Sequence, residues 1–437
     1  MLSTRQLAAH ASPRDAGARS NAIARTAVGA RTHASSGKWY IKQVSTALAS
    51  TGDKALERLT LRPARMLPGH RVHWLFGGGR AFPAMLDAIA SARSEILLET
   101  YIWASDANGR RFVDAVCIKA QEGVQVRCII DGAGSFGFSG ELLVHMQNAG
   151  VLLSVFHPVG PWRRRWGWQV RDHRKLLVVD RRVAFCGGMN LGNDNAPREW
   201  GGHGWNDVQA QVEGPVVRDL HRLFETSWLD AEPETFLVDP KRRPALPDPP
   251  AIHGSPTRVQ AVAVGRFIRR RAIQHHLQHA CAAAREKIWI EAAYFVPNRA
   301  LRAALKRAAR RGIDVRVIMP RNSDVPFLGD ASRYTWASLL KDGVRIFEWL
   351  PGMLHAKTIS VDGAWCSIGS YNLDARSLLY NWEVTLVVLD ERLCEELDDK
   401  FRDDLDRCEP VDPALWRRRG LLQKLRERIF YFFRLWL

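Results

Sequence analysis

The sequence predicts an α/β protein made of two similar halves, each a mainly parallel mixed sheet flanked by helices, packed as a pseudo-two-fold pair. Three observations carry this. The pattern His-x-Lys-x-x-x-x-Asp occurs twice, as His173-Arg-Lys175-Leu-Leu-Val-Val-Asp180 and as His355-Ala-Lys357-Thr-Ile-Ser-Val-Asp362. Each copy leads to a Gly fourteen residues after its His and an Asn seventeen after: Gly187 and Asn190 in the first, Gly369 and Asn372 in the second. The segments before the two motifs also run through the same order of apolar and amphipathic stretches, the mark of an internal repeat. Composition alone leads to only about 0.02 occurrences of the His-Lys-Asp pattern in such a chain. Two copies therefore point to two half-sites of one centre.

In the first half, helical periodicity over 82–93 leads into an apolar strand at 95–103. A helix at 111–122 ends at Gly123 and a strand follows at 124–130. A third helix, 140–148, ends at Gly150 before a strand at 151–156. The second half repeats the order: helix 273–285, strand 287–295, helix 300–311 ending at Gly312, strand 313–319, helix 332–341 ending at Gly343, strand 344–348. A glycine just past a helix supplies the left-handed residue that closes it. Strands alternating with helices imply βαβ units and parallel pairing.

Each motif then enters a hairpin. Strand 175–179 turns at Asp180-Arg-Arg182 and returns over 183–186; strand 358–361 turns at Asp362-Gly363 and returns over 364–368. Residues i and i+2 of a strand share a face, so His173 points with Lys175 and His355 with Lys357. Asp180 and Asp362 complete the six-residue set of catalytic candidates, but their place at the turn favours a structural role.

The chain divides into an N-terminal extension (1–65), a first half (66–230), a linker (231–257), a second half (258–407) and a basic amphipathic tail (408–437). The linker region between Asp230 and Thr257 holds seven prolines. Residues 1–36 are rich in Ala, Ser and Arg and almost free of acids, a composition like that of a transit peptide. The plainer readings, a disordered tail or a start codon assigned too early, are preferred because nothing else points to an organelle.

A length of 437 residues with 46% hydrophobic content allows a sizeable core and excludes wholesale disorder. The net charge of +17 implies phosphate-bearing partners, either nucleic acid or an anionic membrane surface. Seven scattered cysteines without a CxxC pair argue for a reducing compartment and against a disulfide framework or zinc site. No run of ~18 apolar residues predicts a membrane span, and no secretion signal is recognisable.

With both motifs and their trailing Gly and Asn, the chain resembles the phospholipase D superfamily. Within it the resemblance is to short bacterial cardiolipin synthases lacking transmembrane helices. It extends over about residues 66–407 and includes Leu97-Leu-Glu-Thr-Tyr-Ile102, Gly187-Gly-Met-Asn-Leu-Gly192, Glu213-Gly-Pro215, Tyr294-Phe-Val-Pro297 and Gly369-Ser-Tyr-Asn-Leu-Asp-Ala-Arg-Ser377. Two departures stand out: Ala292-Ala293 replaces the Thr-Pro of many relatives, and Gly188 occupies the place that Ser370 holds in the second copy.

The resemblance implies two phospholipase D-like halves and transfer of a phosphatidyl group to phosphatidylglycerol through a phosphohistidine, with neither metal nor cofactor. On this reading one His attacks phosphorus while the other protonates the leaving oxygen; His173 is assigned as nucleophile and His355 as acid, though the symmetry of the pattern leaves the order open. Lys175 and Lys357 would hold the non-bridging oxygens, with Asn190, Ser370 and Asn372 as neutral donors. Each His needs a partner on its other ring nitrogen. Glu383 and Asp207, at matching places in the two halves, are expected to orient the His of their own half. Glu99 and Glu291, on corresponding apolar strands, either support the site or pair with a core Arg.

The tail from Trp416 carries Leu421, Leu422, Leu425, Ile429, Phe432, Phe433 and Trp436 at helical spacing, with seven basic residues and one acid. That composition suits a helix lying on anionic lipid, with packing on the core as the rival. Pro161-Trp-Arg-Arg-Arg-Trp-Gly-Trp168, just before His173, suits a headgroup-binding loop. The expected location is the cytoplasmic side of the inner membrane, peripherally bound, with phospholipids as partners and nucleic acid disfavoured. The competing functions are a hydrolytic phospholipase D, a phosphodiesterase nuclease of the same superfamily, and a non-catalytic membrane-binding protein.

Overall fold

A computed structural model describes residues 54–160, 169–231, 247–265 and 270–435. Residues 1–53, the tryptophan-rich stretch 161–168, most of the proline-rich linker and Trp436 lie outside the described residues.

The first half forms a seven-stranded sheet from β1 (Arg71–Phe76), β2 (Glu95–Thr100), β3 (Gln125–Asp131), β4 (Leu152–Phe156), β5 (Leu176–Val179), β6 (Val183–Gly187) and β7 (Val208–Glu213), in the order β1-β7-β6-β5-β2-β3-β4. The second uses β8 (Arg258–Val264), β9 (Lys287–Ala292), β10 (Asp314–Pro320), β11 (Arg345–Trp349), β12 (Lys357–Val361), β13 (Trp365–Gly369), β14 (Glu383–Leu389) and β15 (Cys408–Pro410), in the order β15-β11-β10-β9-β12-β13-β14-β8. Without β15 the two orders are the same permutation. The sheets are mixed, but "mainly parallel" overstates them: parallel pairing is confined to β2–β3–β4 and β9–β10–β11. The motif hairpins and β1, β7, β8 and β14 pair antiparallel. The βαβ units therefore build one edge of each sheet and hairpin strands the rest.

Side chains alternate across β2. Ile96 and Leu98 face helices Gly78–Ala90 and Ala107–Gln121 on the outside, whereas Leu97 faces the second half. Burial on both faces explains why this strand reads as a continuous apolar run. The core between the sheets draws Leu97, Ile129 and Val178 from one half and Ile318, Ile368 and Val384 from the other. Helices Val216–Asp230 and Glu391–Leu405 add Leu220, Phe224, Leu393 and Phe401 to it.

Asp180 and Arg181 both have positive φ, as do Asp362 and Gly363. That is the primed turn whose twist matches a hairpin. The Asp180 carboxylate accepts the backbone N–H groups of Arg93, Ser94 and Glu95 at 2.8–2.9 Å. Asp362 likewise accepts those of Arg285, Glu286 and Lys287, and pairs with Arg58 at 2.6 Å. Both motif aspartates thus lock the helix-to-strand corner of their half, at the far end of the strand from the His. Their hydrogen bonds are those of a structural role, at a distance along the strand from the His-Lys pairs.

Candidate active site

Leu176, at the start of β5, lies opposite Glu99 near the end of β2, and Lys357 lies opposite Ala292 at the end of β9. Both His-Lys pairs therefore stand beyond the carboxyl ends of the parallel strands, as ligand sites of open α/β sheets do. Two short backbone bridges join the halves there. Asp172 pairs with Trp382 and Asn206 with Leu354. The His173 N–H donates to the Trp382 carbonyl at 3.0 Å, and the His355 N–H to that of Asn206 at 2.7 Å.

Trp382 precedes Glu383 and Asn206 precedes Asp207, so these bridges cross the carboxylates over. His173 Nδ1 meets Glu383 at 3.1 Å, and His355 Nδ1 meets Asp207 at 2.7 Å. Each His is oriented by the other half, which corrects the expectation that each carboxylate serves its own. The cause is the packing of sheet on sheet, which spacing along the chain does not encode. With Nδ1–H given to a carboxylate, each ring leaves Nε2 for chemistry.

His173, Lys175, Asp207, His355, Lys357 and Glu383 are all buried. Lys175 Nζ donates to the His173 carbonyl at 2.7 Å and sits 5.1 Å from the Tyr101 ring centre. Lys357 Nζ donates to the His355 carbonyl and lies 2.8 Å from His355 Nδ1. That nitrogen can serve only one neighbour, and the ionised Asp207 takes its proton.

Burial dominates the electrostatics. It pushes Lys175 down to about 7 and Lys357 down to about 8. Burial, reinforced by Lys175 and Lys357, holds His173 well below the ordinary histidine value. His355 is lowered too, by burial and Lys357, against the opposing pull of Asp207. The carboxylates part ways. Burial raises Glu383 to about 7 despite Lys175 and the hydroxyls of Ser370 and Ser377. Burial would raise Asp207 as well, but Lys357 and His355 outweigh it and hold the group below the usual carboxylate range. His355 therefore faces a fixed negative charge, whereas His173 faces a group poised near neutrality.

The supporting residues divide. Asn190 accepts the Ile102 N–H at 3.3 Å, which ties it to the loop after β2. Asn372 has a buried side-chain oxygen with no hydrogen-bond partner. Ser370 is not the free phosphate donor expected of it. Its hydroxyl is spent on Glu383 at 2.5 Å. A Cβ at Gly188, the equivalent position, would lie 2.3 Å from Asp207 Oδ1. Ser with Glu and Gly with Asp are thus matched sets.

Sequence reasoning missed Tyr101 and Tyr294, whose rings lie 4.9 Å from His173 and 6.5 Å from His355, and Trp205, 5.3 Å from His355. Ser377 and Asn381, which bond Glu383 at 2.7 and 3.4 Å, were missed as well. The tyrosines left a signal, standing two and three residues after Glu99 and Glu291 in the repeat. Those two acids pair with core cations: Glu99 with Arg174 at 3.6 Å and Glu291 with Lys400 at 2.9 Å. Among the described residues Glu95, His221 and Glu225 also cluster tightly. Arg127 already binds both of those carboxylates, at 2.8 and 2.6 Å, so the cluster is an ion-pair network of the inter-sheet core.

Known proteins share the two-part organisation of the chain. The family described as "Cardiolipin synthase, PLD-like domain" matches residues 85–228 and 277–405, the two halves in turn. The chain belongs to this family. It is 32% identical over 390 residues to "Cardiolipin synthase A" of Pseudomonas fluorescens, covering 88% of this chain and 80% of that one. It is 31% identical over 353 residues to "Probable cardiolipin synthase YwiE" of Bacillus subtilis, covering 81% and 69%. Among solved structures, phosphatidylserine synthase of Haemophilus influenzae shares the fold, with a TM-score of 0.64 at 14% identity over 89% of this chain and 99% of that one. As a cardiolipin synthase homologue with two phospholipase D-like domains, the protein carries one motif in each. No helix among the described residues is long and apolar enough to cross a membrane.

Proposed function

We propose that the protein moves a phosphatidyl group from one phospholipid to the hydroxyl of phosphatidylglycerol through a phosphohistidine on His173. The observation that carries this is the unlike pairing of the two histidines. His173, neutral with its Nδ1–H on Glu383, presents the Nε2 lone pair to phosphorus. The ionised Asp207 favours the charged form of His355 against burial, and in that form its Nε2–H gives the departing glycerol oxygen a proton as its bond to phosphorus breaks. The acceptor hydroxyl then returns its proton to His355 and attacks phosphorus, releasing His173. Lys175 and Lys357 supply the positive charge around the phosphate that other enzymes draw from a metal. We further infer that the protein works peripherally at the cytoplasmic side of the inner membrane, a reading supported by its net charge of +17.

The test is incubation with labelled phosphatidylglycerol vesicles in the presence of chelator. Cardiolipin with an acid-labile, alkali-stable label on the peptide containing residue 173 is the expected result. Phosphatidic acid alone would make the protein a hydrolase. Cleavage of single-stranded DNA with neither lipid product would make it a nuclease. A label at residue 355 would reverse the histidine roles.

A further inference from the structure

We propose that helix Leu421–Phe432 is the surface by which the protein lies on an anionic bilayer, on the side of the molecule where the active centre opens. The reading of that centre as a phosphatidyltransferase says what it would meet there; the surface itself is argued from its own residues. The helix is fastened to helix Pro326–Lys341 by one face only. Phe430 packs on Phe327 at 4.8 Å, Tyr431 stacks on Tyr334 at 4.3 Å, and Arg426 pairs with Asp330 at 2.8 Å. The Tyr431 hydroxyl also accepts from Arg302 at 3.2 Å.

The opposite face is where the leucines are. Leu421 is 83% exposed, Leu422 82% and Phe432 73%, with Leu425 and Ile429 between them also exposed. A terminal helix held for stability buries its apolar stripe. This one docks through aromatic and arginine contacts and leaves the stripe outward.

The charge around the stripe selects the occupant. Glu427, the only acid of the helix, is buried and paired with Arg419 at 2.8 Å. Arg417, Arg418 and Arg428 remain exposed. An apolar ridge rimmed by arginines, with its one acid withdrawn, fits the interface of an anionic bilayer, where apolar burial and attraction to lipid charge add.

The helix that carries the ridge docks on an element linked to the centre. Helix Pro326–Lys341 starts two residues after Asp324, whose carboxylate accepts the Tyr294 hydroxyl at 2.7 Å. The Tyr294 ring in turn stands beside His355. Phe327, at the start of that helix, is half exposed beside its contact with Phe430.

The test is co-sedimentation of the full chain with vesicles of phosphatidylglycerol and phosphatidylcholine, or of phosphatidylcholine alone. The protein is expected to sediment with the first and not the second. Leu421→Asp/Leu425→Asp should lower the bound fraction about tenfold or more. Ile118→Asp, on helix Ala107–Gln121 and as exposed as Leu425 at 54%, should leave it unchanged. Leu422→Ser/Phe432→Ser provides a milder pair, and matching melting curves show that each variant is folded. Reversing Arg417, Arg418 and Arg428 to Glu should abolish the preference for phosphatidylglycerol. The proposal fails if the folded stripe variants sediment like wild type, or if wild type binds neither vesicle. It also fails if the stripe variants only convert a lipid-free dimer to monomer, because a second copy then covers the ridge. Sedimentation needs no turnover, so a protein that binds through the ridge yet makes no cardiolipin overturns the catalytic reading alone.

Discussion

Asp207 and Glu383 differ by one methylene, yet they hold different charges at neutral pH. Asp207 is ionised beside Lys357 and His355, whereas Glu383 sits near its midpoint among hydroxyls and an amide. Asp207→Asn should therefore remove a charge that His355 depends on, lowering kcat by about 100-fold or more, while Glu383→Gln should cost about tenfold, since it mainly disturbs orientation. Steady-state kinetics of the two variants check the order, and an equal effect would contradict the division of roles. The lysines predict a pH dependence. A lysine is charged below its pKa, and burial brings Lys175 down to about 7 and Lys357 down to about 8, so the two charges are lost in turn as pH rises through those values. The kcat/KM of the free enzyme should fall on the alkaline side from about pH 7, and more steeply above about pH 8. Lys357→Arg keeps its charge and should remove only the steeper part of that limb. A wild-type profile flat to about pH 10 would show that this charge is not required.

At the scale of elements, the motif aspartate belongs to the hairpin. Asp180→Ala leaves three backbone N–H groups without their acceptor. It should lower stability by about 1–3 kcal/mol in a denaturant titration while sparing most of kcat. Gly188→Ser should do the reverse of a conservative exchange. Its side chain would enter the space of the Asp207 carboxylate, which the Val208 N–H holds at Oδ1 and His355 at Oδ2. A loss of kcat of about 100-fold or more is expected, whereas Ser370→Gly, which removes a donor to Glu383 and an acceptor of the Val384 N–H, should lose far less. Much of this was legible in the chain. The helix at 140–148 is where periodicity and Gly150 put it, and Gly123, Gly312 and Gly343 all carry positive φ after their helices. Strand β1, strand β8 and helices Val216–Asp230 and Glu391–Leu405 were not read, because their apolar faces look onto the other half and their pattern has no local partner. The two His-Lys pairs with Asp207 and Glu383, which the structure brings together, were legible because the repeat marks them twice. The crossing of the carboxylates was not, since it follows from two bridges between distant segments.

At the scale of the molecule, the two halves share one core and one centre within a single chain. Mixing purified His173→Ala with His355→Ala should therefore restore no activity, because neither mixture partner holds both histidines. Recovery to about a quarter of wild type would instead reveal a centre built between two chains. The crossed pairing also has a consequence for the birth of the enzyme. His173 waits for a partner 210 residues further along the chain. Domains generally fold as they leave the ribosome, the N-terminal portion first. Here the first half can lay down its sheet while His173 is still unaimed. The centre is wired only when β14 is synthesised and docks, so a truncated or stalled product lacks the partner that orients this histidine.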